Sequence, residues 1–299
     1  MGRILPARFD RRTPELTPTG PGDLPDPRLA ELDVIALRVA DAVRRDEPLG
    51  PVAITFLLRH YLATGRDDLA DAVGTALAAA LARSAAADDT ASRAAWLTLF
   101  TDAAALSDDE RLMTAAAELL VALRRAWPST PDIADAAASL DACLRAADVP
   151  GLADAQELTP AVIDELERIV SEAYQPGAGV GSSPAAHVRT AAALLTAFER
   201  SGRLPYSMLA EELIQPLRRE APPDDVVVAC GAVQVLCRLA VLHGSDEYRT
   251  AAVIAVDADY GADADRILAA LATRAIGADF ETSAAYGLAA GEWLAFRGR

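Results

Sequence analysis

PAAHVRTAAALLTAFERSGRLPYSMLAEELIQPL, residues 184–217, is the stretch from which the fold is read. Its first half places Val188, Ala191, Leu195 and Phe198 on one helical face. Its second half does the same with Tyr206, Leu209, Leu213 and Leu217. Between them, Gly202 suits the left-handed turn that ends a helix, and Pro205 suits the first turn of the next. Each helix has one apolar stripe to bury, so the pair folds back on itself as a helical hairpin.

The same register recurs along the chain. Eight residues before Gly65, Ser107, Gly202 and Gly244 stand Leu57, Leu99, Leu194 and Leu236. Twelve residues after them stand Leu77, Leu119, Ile214 and Val256. Gly65 and Ser107 are 42 residues apart, as are Gly202 and Gly244, a period typical of helical repeats. A degenerate unit with its turn near Pro150-Gly151 fills the wider gap in the middle, and the last 40 or so residues supply a sixth. Thr159 and Pro160 read as the cap and first position of a helix ending near Tyr174. The Gly-rich loop 175–183 follows it. Asp225–Cys230, DVVVAC, is β-branched but too short to override its helical surroundings.

These features predict an all-α fold of about twelve helices in antiparallel hairpins, closed into an (α/α)6-like toroid. An open HEAT-like solenoid is the alternative. Residues 1–27, rich in Pro, Gly and Arg, read as an extended tail, and 28–299 as one domain.

The chain has 299 residues, is 52% hydrophobic, and carries a net charge of −16. Every one of its 28 basic residues is Arg, and no Asn occurs. Such an acidic balance disfavours a nucleic-acid or anionic-membrane partner, since both need clustered cations. Three cysteines without a C-x-x-C make neither a disulfide framework nor a metal knuckle. No signal-like apolar core opens the chain, and no run of about 18 apolar residues is free of charge. The expected location is the cytoplasm, with no cofactor and no bound metal.

The hairpins resemble the six-hairpin (α/α)6 toroids. More narrowly, they are similar to the N-acylglucosamine 2-epimerase-like group, including the helical toroid that follows the thioredoxin-like domain in some bacterial proteins. The residues carrying this are Leu194–Gly202 with Tyr206, Leu236–Gly244 with Tyr248, and the run from Glu157 to Val180 followed by HVRTAAALL. The resemblance implies a central cavity that binds or processes a small polar, carbohydrate-like molecule.

Four residues are the candidates to border such a cavity. His187 opens a helix directly after the Gly-rich loop, where an imidazole can act on a ligand; Tyr174 stands on the opposite lip. Asp259 and Tyr260 lie in the acidic loop DADYGADAD, which fails the calcium-loop pattern at its glycine and its final Glu. Against this stands a non-catalytic scaffold that binds another protein. An interior gathering carboxylates and aromatics favours the first reading, and one filled with Ala and Leu the second.

Overall fold

The computed structural model describes residues 26–298, apart from 107, 108, 220, 221, 253 and 256. Ser107 and Val256 of the repeat register, and the tail as far as residue 25, therefore lie outside the described residues. Thirteen α-helices are present among those described, so the fold is all-α. They are α1 (Pro27–Arg44), α2 (Pro51–Thr64), α3 (Asp67–Ser84), α4 (Thr90–Ala104), α5 (Glu110–Ala126), α6 (Ile133–Ala146) and α7 (Ala153–Ala173). After the short strands β1 (Tyr174–Gln175) and β2 (Gly179–Val180) come α8 (Pro184–Ser201), α9 (Leu204–Arg219) and α10 (Val226–His243). The chain ends with α11 (Asp246–Ala252), α12 (Tyr260–Ile276) and α13 (Phe280–Arg297).

Local chemistry sets the helix ends. The side chains of Asp26, Asp89, Asp109, Asp132, Ser183, Asp259 and Asp279 each accept a backbone N–H in the first turn of the helix they precede. Gly65 and Gly202 close α2 and α8 in the left-handed conformation, at φ 62° and 68°, as the turn reading requires. Asp26 and Pro27 already belong to α1 and its cap, so helix starts slightly before the expected end of the tail.

The chain divides into two compact units. Residues 81–223 and 242–258 form one of them. Within it α4 packs on α6 and α6 on α8, while α5, α7 and α9 each lie against their hairpin partners α4, α6 and α8. The two rows bury their residues differently. In α5 the buried positions are Leu112, Ala116, Leu119, Leu120 and Leu123, a single stripe. In α8 the five consecutive residues from Ala193 to Ala197 are all buried, which at 100° per residue covers every face. Hydroxyls of α4 and α6 turn back onto the backbone. Thr101 donates to Thr98 O and Ser139 to Asp135 O, at 2.9 and 2.8 Å.

The other unit comprises residues 26–80, 224–241 and 259–298. Here α2 packs on α13, α13 on α12, and α1 lies against both α13 and α2. In α2 every residue from Ala53 to Leu58 is buried. Close approach to α13 depends on Gly287, where a Cβ would stand 2.4 Å from the Phe56 ring. A second glycine is dictated by charge. Gly50 precedes α2 without a side chain to cap it, and Glu281 of α13 does so instead, accepting Val52 N and Ala53 N at 3.2 Å each. A Cβ on Gly50 would meet that carboxylate at 2.7 Å.

The first helix is tied to the last two by polar contacts. Arg28 lies over the Trp293 ring at 4.2 Å and pairs with Asp265 at 2.6 Å. Tyr286 donates to Glu31 at 2.6 Å. Arg38 donates to the carbonyls of Ile276 and Ala278, capping the C-terminal end of α12.

Two local expectations need correction. Thr159 is not a helix cap: α7 begins at Ala153 and runs through Pro160, and the Thr159 hydroxyl donates back to Ala155 O at 3.3 Å. Burial of Leu152, Ala155 and Leu158 outweighs the penalty of about 3 kcal/mol for an internal proline. The hairpin after Gly244 has a short second arm, since α11 is only seven residues long. By length and composition α10 could also cross a membrane, although Arg238 interrupts its apolar run as expected. Ala229, Cys230, Ala232, Val233, Val235, Leu236, Cys237 and Leu239 are all buried, so more than half of its circumference lies against the protein.

Two substitutions check this packing. Gly287→Ala drives a methyl into Phe56, and Gly50→Ala displaces the Glu281 cap. Each is expected to lower unfolding free energy by about 1–3 kcal/mol in denaturant titration. Gly74→Ala, a site with open space around the added Cβ, is the control and is expected to be neutral or stabilising.

Candidate functional site

The 174–183 connection, expected to be a loop, carries a minimal antiparallel β-hairpin. Tyr174 pairs with Val180 and Gln175 with Gly179. Alternating glycines make the turn. Gly177, Gly179 and Gly181 have φ of 80°, 80° and 68°, a region that side chains rarely enter.

Three contacts hold this hairpin down. Val180 is completely buried. The Tyr174 hydroxyl donates to Glu212 of α9 at 2.6 Å, and that bond holds the phenol above its ordinary pKa. The imidazole of His187, one turn into α8, lies 3.3 Å through Nε2 from the Gly181 carbonyl. The ring presses on the strand so closely that a Cβ at Gly179 would stand 2.7 Å from Nε2. An open cavity of about 280 Å³ remains beside it, lined by Gln175, Ala178, Gly179, Gly181, Ser182 and His187.

Tyr174 thus belongs to the hairpin and His187 packs against its second strand. Asp259 and Tyr260 belong to the other unit. Asp259 caps α12, accepting Ala262 N at 2.9 Å, and Tyr260 is buried with 1% of its surface exposed. Of the remaining acids in that loop, Asp263 pairs with Arg266 and Asp265 with Arg28. Among the described residues no group of three or more His, Cys, Asp or Glu side chains is placed to hold a metal ion.

Other titratable groups are built into the core. His60 is almost enclosed, stacked on Phe56 with ring centroids 5.7 Å apart, and its Nε2 lies 2.9 Å from Asp33. Burial pulls its pKa below 6.5, against the opposing pull of Asp33. Burial likewise raises Glu281 above the usual carboxylate range, although the α2 amides favour its charged form. Glu211 of α9 is fully buried; one carboxylate oxygen accepts Ala255 N at 2.9 Å and the other lies 3.5 Å from His243 Nε2. His243 in turn packs on Tyr248, and Tyr248 on Phe198. All three cysteines are free and buried, and burial pushes the thiols of Cys143 and Cys230 up to about 12.

Sequence reasoning missed Glu212, Glu211 and Glu281. Nothing local signals that each reaches a different element.

Two results are expected from these groups. His60 is held neutral in the folded state, so the unfolded chain binds more protons between its lowered pKa and 6.5. Stability should therefore rise with pH through that window and fall as acid is added. His60→Gln should flatten that part of the curve of unfolding free energy against pH. Replacing residues 175–183 with a short Gly-Ser link removes Val180 from the core, and thermal unfolding should show a loss of about 1.5–3 kcal/mol. An unchanged melting temperature would make the hairpin a bystander. When compared with protein-family models, curated proteins and solved structures, the chain matches none.

Proposed function

We propose that the chain is a non-catalytic helical-repeat scaffold that binds another protein. The observation supporting this is the composition of the enveloped helices. Positions buried in α2, α4, α6, α8 and α13 are filled mainly by Ala, Leu, Val, Ile, Phe and Trp, with His60, Tyr286 and a few hydroxyls among them. Most of their hydroxyls bond to neighbouring carbonyls, as Thr55 does to Pro51 O at 2.7 Å, although the Thr190 hydroxyl has no partner among the described residues. A catalytic interior needs converging acids, bases or donors. The buried acids described above, Glu211 and Glu281, instead hold backbone amides.

The proposal includes a closed ring of the (α/α)6 type as its architecture. Its support is the 42-residue register together with the packing of α1 on α13, the first helix on the last. In this reading α2, α4, α6, α8, α10 and α13 are the inner helices, and the acidic outer faces carry the partner. We place it in the cytoplasm, where three buried unpaired cysteines would stay reduced.

The test is a thermal-shift screen against sugars and other metabolites, run beside proximity labelling in cells and reconstitution with the purified partner so identified. The scaffold reading expects no metabolite to bind the interior, and a complex that salt weakens. A metabolite at 100 times its dissociation constant would add about 2.7 kcal/mol. Such a gain would restore the cavity reading and overturn this one.

A further inference from the structure

We propose that the outer face of α1 around Val34 and Leu37 is a docking surface for the chain's own basic segment, residues 3–12. This contact goes beyond the scaffold reading and does not depend on it. Five large aliphatic side chains are exposed among the described residues. Leu106, Val121 and Ile254 lie in separate parts of the chain, as isolated apolar residues on a surface commonly do. Val34 and Leu37 differ. They stand three residues apart on one helix, 49% and 38% exposed, and the exposed Ala30 lies one turn before Val34. The other side of α1, through Leu32, Ile35, Ala36 and Val39, is already buried against α2 and α13.

Carboxylates border this apolar pair. Asp33 and Asp41 stand four residues to either side of Leu37 and share its helical side. Asp33 meets His60 and Arg66, and Asp41 meets Arg44, yet 46% and 55% of their side-chain surface stays open to further cations. The face therefore calls for an occupant that is apolar at its centre and basic at its edges.

Size and charge select that occupant. A stable interface between separate proteins buries about 800 Å² on each partner, which two aliphatic side chains and an alanine cannot supply. A second copy would also bring a net charge of −16 against the same charge. A covalently attached segment needs far less area, because its effective concentration is on the order of millimolar. Residues 3–12, RILPARFDRR, lie outside the described residues, and their sequence has the required character. Arg3, Arg8, Arg11 and Arg12 face a single acid, Asp10, in an otherwise acidic chain, and Ile4, Leu5 and Phe9 supply apolar anchors. The length also suffices. Val34 and Leu37 lie about 10 and 15 Å along α1 from Pro27, and the stretch from Phe9 to Asp26 reaches about 50 Å when extended.

The experiment attaches a nitroxide to the thiol of an Ala7→Cys variant of the full chain and reads the broadening of amide signals by NMR. The three native cysteines are buried and stay unlabelled. Broadening should concentrate at residues 30–41 and weaken in high salt. Val34→Asp combined with Leu37→Asp, both at exposed positions, should abolish it with an unchanged melting temperature. Phe9→Ser alters none of the thirteen helices and should abolish it as well, so the outcome does not rest on how the double variant folds. Isotope-enriched chains without the label, mixed with labelled ones, should show no broadening. The proposal is overturned if residues 30–41 broaden no more than the rest of the surface, or if the broadening survives Phe9→Ser. It is equally overturned if the mixture broadens as much as the labelled chain, which would make a second copy the occupant.

Discussion

The constraint on which the structure depends is the need of certain helices for neighbours on every side. A helix with one apolar stripe can rest on a single partner and face water with the rest. That describes α5, with its buried Leu112, Ala116, Leu119, Leu120 and Leu123. It cannot describe α2, where six residues in a row from Ala53 to Leu58 are buried. Such a helix has no face to give to solvent, and its exposure would cost tens of Å² of apolar contact per side chain. The hairpin is the local answer for α4, α6 and α8: each packs on the striped helix that follows it, and α6 lies between α4 and α8.

Close packing of this kind leaves little tolerance for polar groups, and the protein handles them by pairing rather than exclusion. Glu281 exemplifies the solution. Its carboxylate is buried at the start of α2, where the free N–H groups of a helix end need an acceptor, and Gly50 stays small to admit it. Arg38 does the converse at the end of α12, donating to carbonyls that no longer have helical partners. Glu211 holds the backbone at Ala255 in the same way. In each case a side chain from one element satisfies the backbone of another, so these charges connect elements rather than form a reaction centre.

The 174–183 hairpin shows how a flexible-looking segment becomes ordered. Its glycines suggest freedom when read in isolation. In the fold they are positions where the backbone must take positive φ and where His187 leaves no room for a Cβ. Tyr174 and His187 were legible as lips of this segment from their places in the chain. Their partners, Glu212 and the Gly181 carbonyl, were not, because hydrogen bonds between separate elements leave no periodic trace in sequence. Asp259 was legible as an acid before a helix, and capping α12 is what it does.

The sequence by itself determined the helical class, the hairpin as the unit, and the turns at Gly65 and Gly202, because periodicity and left-handed glycines are local properties. Of the stripe it predicts for α7, Val162, Leu166, Ile169 and Ala173, the first three are buried and Ala173 is half-buried. Tertiary structure alone decided that α7 continues through Pro160, since burial of residues on its first turns overrides a local stop signal. It alone decided which glycines are spacers: Gly287 is needed because Phe56 lies against it, and Phe56 is 231 residues away in the chain. Local conformational preference acts over a few bonds and can be read from neighbours. Packing acts between surfaces that meet only after the chain has folded.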